Sequence, residues 1–222
     1  MLFRRALAAI PALLISGAAQ AGSLYTSQSA FTAAATGTVV NTTSFGLPYY
    51  DPTTPLTTNS ITLANGYSVG VSANQVLQAG NGFSPFTNGY SGDILYNTTS
   101  SETISFSSGI SALGFYIAPD LGLASELGFA NNASLTVTLS DGLSTGPISL
   151  DNFIAGNAQF FGFAGLDDVT SATITVSGVD GFGNPINAFA LGDFFDVPEP
   201  MSAALLGGGV FAVAAARRRV RR

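Results

Sequence analysis

The sequence predicts an all-β fold, an antiparallel β-sandwich, because its apolar residues alternate with hydroxyl residues. In residues 134–140 (SLTVTLS) and 173–177 (TITVS), every apolar side chain stands between two hydroxyl side chains. Asn65-Gly66 separates two such runs and Asp141-Gly142 follows another, and both dipeptides favour the positive φ angles of tight hairpins. About ten strands of this kind suffice for two packed sheets, and a jelly-roll arrangement is one topology they could adopt.

Other segments carry the same alternation less completely. We predict further strands at residues 39–45, 61–63, 67–71, 94–96, 103–107, 113–117, 159–163 and 189–195. Residues 26–35 (TSQSAFTAAA) predict a short helix that caps one end of the domain, and the glycine-rich residues 80–92 predict a long loop.

Charge is distributed unevenly along the chain. All seven basic residues are arginines at the two ends, whereas the 13 acidic residues lie between Asp51 and Glu199. The segment from Gly22 to Pro200 has no lysine, arginine or histidine. It can therefore form no side-chain ion pair and cannot neutralise phosphates, so we expect no nucleic-acid partner.

The residue types that are missing restrict the chemistry. The chain has no cysteine and no histidine, which excludes Ser-His-Asp and thiol nucleophiles and the usual zinc ligands. We therefore expect no enzymatic activity and no cofactor. Oxygen ligands remain, and they suit calcium. The candidate carboxylates, none at an EF-hand spacing, are Asp167, Asp168, Asp180 and Asp193.

The N-terminus predicts a secretory signal peptide. Arg4 and Arg5 supply a positive start, Ala6 to Ile15 form an apolar stretch, and Ala19-Gln20-Ala21 is the small-x-small pattern of a signal peptidase site. About ten apolar residues are too few to cross ~30 Å of hydrocarbon. We expect cleavage after Ala21.

Residues 197–222 have three parts. The stretch Pro198-Glu199-Pro200 is followed by an uncharged segment from Met201 to Ala216 (MSAALLGGGVFAVAAA). The prolines favour extended backbone, and the uncharged segment as a helix would be about 24 Å long, somewhat short of a bilayer core. The terminal arginines would stop translocation and hold the end in the cytoplasm; they are Arg217, Arg218, Arg219, Arg221 and Arg222.

These residues resemble the PEP-CTERM sorting signal of Gram-negative bacteria. Pro198, Glu199 and Pro200 match its motif, the Gly/Ala-rich segment matches its transmembrane helix, and the arginines match its basic end. The resemblance implies that an exosortase, a membrane-embedded protease or transpeptidase, recognises the precursor in the inner membrane. It also implies delivery to the cell surface or extracellular matrix, in bacteria that make exopolysaccharide and biofilm.

The exported part also resembles, loosely, the exported parts of other PEP-CTERM proteins. The matching stretches are residues 112–117, 160–163 and 191–195. This resemblance implies a sandwich fold and no particular activity. The chain thus divides into a signal peptide (1–21), an exported β-sandwich domain (22–196) and a sorting signal (197–222).

We expect a non-enzymatic exported surface or matrix protein whose partners are signal peptidase, exosortase and, before processing, the membrane. Two alternatives keep the same sorting signal. One is a calcium-dependent adhesin that uses the carboxylates named above. The other is a polysaccharide-binding module whose loop aromatics stack on sugars; the candidates are Tyr49, Tyr50, Phe83, Phe86 and Tyr90. The absence of tryptophan counts against the second alternative.

Overall fold

The structure, a computed structural model, describes residues 22–43, 60–62, 68–70, 75–78, 93–121, 132–150 and 158–198. The predicted signal peptide (1–21), the segment 199–222 and the loop aromatics named above lie outside these residues. Within the described part of the chain, no helix is long and apolar enough to cross a membrane.

The described residues form eleven strands and one short helix, which confirms the all-β prediction. The elements are β1 (Ser23–Tyr25), α1 (Gln28–Ala34), β2 (Val40–Thr42), β3 (Ser60–Thr62), β4 (Ser68–Gly70), β5 (Gln75–Gln78), β6 (Asp93–Asn97), β7 (Ser101–Pro119), β8 (Ser134–Leu139), β9 (Ile148–Ser149), β10 (Gln159–Ser177) and β11 (Phe189–Pro198). Each predicted strand overlaps one of these strands, and α1 lies inside the predicted helix at residues 26–35.

All the strand pairs are antiparallel, and the strands form one sheet in the order β5-β6-β11-β7-β10-β8-β9. At its sides, β1 pairs with β10, β2 with β11, and the β3–β4 hairpin joins β7 through β4. The predicted turn after β8 is present: Gly142 has a φ of 91°, and Asp141 accepts a hydrogen bond from the Leu143 amide at 2.9 Å.

The two longest strands differ from the sequence prediction. Residues 103–107 and 113–117 were each expected to be a separate strand, but both belong to β7, which is 19 residues long. Its partner β10 is equally long and joins the predicted strands 159–163 and 173–177. The pairing register shifts between Ala164 and Ser171, where extra residues interrupt the alternation of buried and exposed side chains. Pairing therefore continues along both strands.

Alternation along the strands separates two apolar clusters. Leu113, Phe115 and Ile117 of β7 join the main core, to which β6, β8, β10 and β11 also contribute. Side chains of the opposite parity belong to a second cluster around the fully buried Phe31 of α1. The helix therefore covers the apolar part of the side of the sheet that faces away from the main core. On the same side, the serine and threonine side chains of β7, β10 and β8 stay partly or fully exposed to solvent.

Candidate functional site

A continuous set of serine and threonine side chains covers the solvent side of three neighbouring strands. We call it the hydroxyl face; its members are Ser101, Thr103, Ser105, Thr138, Thr136, Ser134, Ser171, Thr173, Thr175 and Ser177. Each of them is partly or fully exposed, and each residue between them along a strand is buried. The period-two pattern in the sequence therefore becomes one surface with a single chemical character.

The register of the strands arranges these hydroxyl groups in rows. Thr173 of β10 lies opposite Thr103 of β7 on one side and opposite Thr138 of β8 on the other. No register shift occurs between Ser171 and Thr175 against β7, or along the pairing of β10 with β8. The rows are therefore regular, with about 4.8 Å between strands and about 6.8 Å between successive outward residues of one strand.

Neighbouring hydroxyl groups are hydrogen-bonded across the strands. The Oγ1 atoms of Thr103 and Thr173 lie 3.0 Å apart, and Ser101 Oγ lies 3.0 Å from Thr175 Oγ1. A hydroxyl has one donor and two acceptor lone pairs, so a bonded pair retains one O–H and several lone pairs for another partner. The face can thus donate and accept hydrogen bonds at once.

The hydroxyl face carries no charge. The one acidic residue within its β7 segment, Glu102, points the other way and is 1% exposed. There it accepts a hydrogen bond from Asn97 Nδ2 at 2.8 Å. All ten members of the face are serine or threonine, so the face presents only neutral polar groups. The whole segment from Gly22 to Pro200 also lacks basic residues that could place a positive charge beside it.

A shallow depression of about 390 Å³ lies at one end of the hydroxyl face. We call it the end depression; its lining includes Asn132, Ser134, Pro147, Ser149, Ser177 and Gly178. Ser134 and Ser177 belong to the hydroxyl face, and their Oγ atoms lie 2.8 Å apart. Ser134 also lies opposite Ser149 of β9, so the rows of hydroxyl groups lead into the depression.

Just beyond this end, an exposed aromatic ring sits on a tight turn. Phe182 is 53% exposed and lies between Val179 and Pro185, which form a bridge. Asp180 closes the turn by accepting hydrogen bonds at Oδ1 from the amides of Phe182, at 2.9 Å, and Asn184, at 2.8 Å. The Asn184 side chain donates to Oδ2 at 3.0 Å. This last bond is the main reason why the pKa of Asp180 is lowered.

The structure places the calcium candidates on separate elements. Asp167 and Asp168 lie in the irregular part of β10, Asp180 in the turn after that strand, and Asp193 in an irregular part of β11. Within the described ranges, no three acidic side chains come together in a group that could hold a metal ion. The Asp193 charge acts instead on Tyr116, whose pKa is raised mainly by burial and further by this carboxylate.

The strand that leads into the predicted sorting signal is firmly packed. In β11, Asp196 and Val197 are 0% and 1% exposed, and Val197 belongs to the cluster around Phe31. Pairing with β7 continues through Pro198, which lies opposite Ile110. Of the motif residues, Pro198 therefore belongs to the folded domain, and Glu199 and Pro200 lie outside the described residues.

Sequence reasoning found the polar alternation but not the hydroxyl face. The signal is present in residues 101–107, 134–140 and 171–177, yet nothing local says that these three segments are neighbours. Comparison with known proteins adds no candidate: no protein-family model and no curated protein matches the chain.

Proposed function

We propose that this chain is a non-enzymatic exported protein of the cell surface or extracellular matrix, sorted by an exosortase-type system. The observation that carries the proposal is the three-part layout of residues 197–222, which begins on the last two residues of a buried strand. A protease needs extended backbone that is free of other hydrogen bonds, and such backbone can begin only where the pairing of β11 ends. We therefore propose that exosortase recognises Pro198-Glu199-Pro200 and cuts at or near this motif, so that Met201 to Arg222 are removed.

The N-terminal end supports a folded domain that begins directly after the expected signal peptide. Strand β1 begins at Ser23, one residue after the expected new N-terminus at Gly22. A β-carbon on Gly22 would lie 2.7 Å from Cδ2 of Leu166, so the chain is already packed at this point. Signal peptidase would remove residues 1–21 first, the arginines would hold the tail in the inner membrane, and exosortase would then act on a folded domain.

We also propose that the sheet folds over itself as the predicted sandwich, with a jelly-roll as one candidate topology. Ile104 and Ile174, in one half of the long strands, share a buried cluster with Phe115 and Phe163 in the other half. All four side chains are at most 1% exposed, and burial along one side of a sheet requires a second layer packed over it.

Mass spectrometry of the protein isolated from its host tests the sorting proposal. We expect a chain that starts at Gly22 and lacks Met201 to Arg222. Glu199→Ala should leave the precursor in the membrane, whereas Asp167→Ala, which removes an exposed carboxylate elsewhere, should be processed normally. Recovery of an intact C-terminus with all five arginines from wild-type cells would reject the proposal.

A further inference from the structure

We propose that the hydroxyl face and the end depression bind a neutral polysaccharide chain. This site is independent of the export route, and it uses residues other than the loop aromatics considered from the sequence. The proposal is carried by the uncharged, regular rows of hydroxyl groups and by the depression into which they lead.

Charge selects the class of ligand. The ten side chains of the hydroxyl face are neutral, and all the charged side chains from Gly22 to Pro200 are acidic. An anionic polymer would meet a surrounding negative field with no compensating cation, whereas a neutral polymer would not. Sugar hydroxyls both donate and accept hydrogen bonds, which matches what each hydroxyl pair on the face still offers.

The hydroxyl groups are also ordered before any ligand arrives. Bonds between Thr103 and Thr173, at 3.0 Å, and between Ser134 and Ser177, at 2.8 Å, hold these side chains in one arrangement. Threonine is further restricted at χ1 by its branched β-carbon. Little side-chain entropy is then lost on binding, which favours affinity for a long, weakly interacting polymer.

The end depression gives the face a place for a bulky group. Its volume of about 390 Å³ is at the small end of the usual range for ligand sites, about 300–1,000 Å³. Phe182 lies on the turn that begins three residues after Ser177, and its exposed ring could stack on the apolar side of a sugar.

The test measures binding of the mature protein, purified from its host, to amorphous cellulose and to dextran as neutral probes and to alginate as an anionic probe. The main variant combines Thr103→Val, Thr173→Val and Thr175→Val, which keep side-chain shape and remove three hydroxyl groups. We expect binding to at least one neutral polymer, weak binding to alginate, and a loss of about tenfold or more in affinity for the variant.

A matched control makes the same substitution at three exposed threonines outside the hydroxyl face: Thr26→Val, Thr32→Val and Thr38→Val. This control should bind as the wild type does. If the main variant fails to fold, as judged by circular dichroism, Ser134→Ala with Ser177→Ala tests the end depression instead and should weaken binding to the same polymer.

Three results would overturn the proposal. These are no binding to either neutral polymer, stronger binding to alginate than to them, and equal binding by the main variant and the wild type. Processing at the C-terminus, followed by mass spectrometry in the same preparations, is a separate readout. Loss of polysaccharide binding with normal processing would leave the sorting proposal standing.

Discussion

Thr103 and Thr173 stand 70 positions apart in the sequence, yet their hydroxyl oxygens are 3.0 Å apart at the centre of the hydroxyl face. Facing pairs of this kind on antiparallel strands contribute about 0.2–1 kcal/mol to stability. We expect a coupling of this size from a double-mutant cycle of Thr103→Val and Thr173→Val, measured by urea unfolding. The exposed threonines Thr26 and Thr32 provide a control cycle that should be additive. A coupling of zero at the first pair would mean that the bond does not persist in solution.

Gly162 of β10 lies directly beneath the ring of Phe31. A β-carbon at position 162 would be 2.5 Å from Phe31 Cδ2 and 2.9 Å from Phe160 Cε1, both parts of buried rings. Gly162→Ala should therefore destabilise the protein by about 1–3 kcal/mol through overpacking. In a Phe31→Ala background the same change should cost less, because the nearest Phe31 atoms, Cγ and Cδ2, are gone. Equal costs in the two backgrounds would show that helix α1 adjusts without strain.

Local periodicity predicted the strands well, because a half-buried strand leaves its alternation in the sequence wherever it lies. Residues 134–140 show this clearly: all three apolar side chains are buried and the four hydroxyl residues are partly or fully exposed. The continuity of β7 and β10 was not predicted, since residues 108–112 and 164–170 break the alternation. Register shifts in the pairing accommodate that break, and such shifts depend on a partner strand far away in the chain.

The candidate site was harder to predict for the same reason. Carboxylates can be identified in a sequence, but Asp168, Asp180 and Asp193 turn out to lie on three different elements. The hydroxyl face depends on pairings between segments about 30 to 70 residues apart, such as Thr138 and Thr103 with Thr173. Nothing local in a sequence encodes which strands become neighbours.

The buried pair of Asn97 and Glu102 offers a test of charge in the interior. Both are 1% exposed, and the amide donates to the carboxylate at 2.8 Å. Asn97→Asp would remove the amide donor and place a second acidic group beside Glu102 in a segment without basic residues, and we expect a loss of about 1–3 kcal/mol at neutral pH.

The exchanged pair, Asn97→Asp with Glu102→Gln, restores one amide and one carboxylate and should regain much of that stability. Urea unfolding of both variants at neutral pH gives the comparison. A double variant no more stable than Asn97→Asp alone would show that shape, not charge, sets the cost at this pair.

The turn that presents Phe182 should respond to acid through Asp180. The pKa of this carboxyl is lowered from 3.8, first by the hydrogen bond from the Asn184 side chain and then by backbone amides of the turn. A carboxyl whose pKa is lower in the folded state stabilises that state above its unfolded pKa, and the contribution disappears as the pH falls through the folded pKa. NMR titration of the Asp180 side-chain carboxyl should therefore give a midpoint below 3.8. In Asn184→Ala the midpoint should move back toward 3.8, because the largest cause of the shift has been removed. An identical midpoint in both proteins would assign the shift to the backbone amides of Phe182 and its neighbours instead.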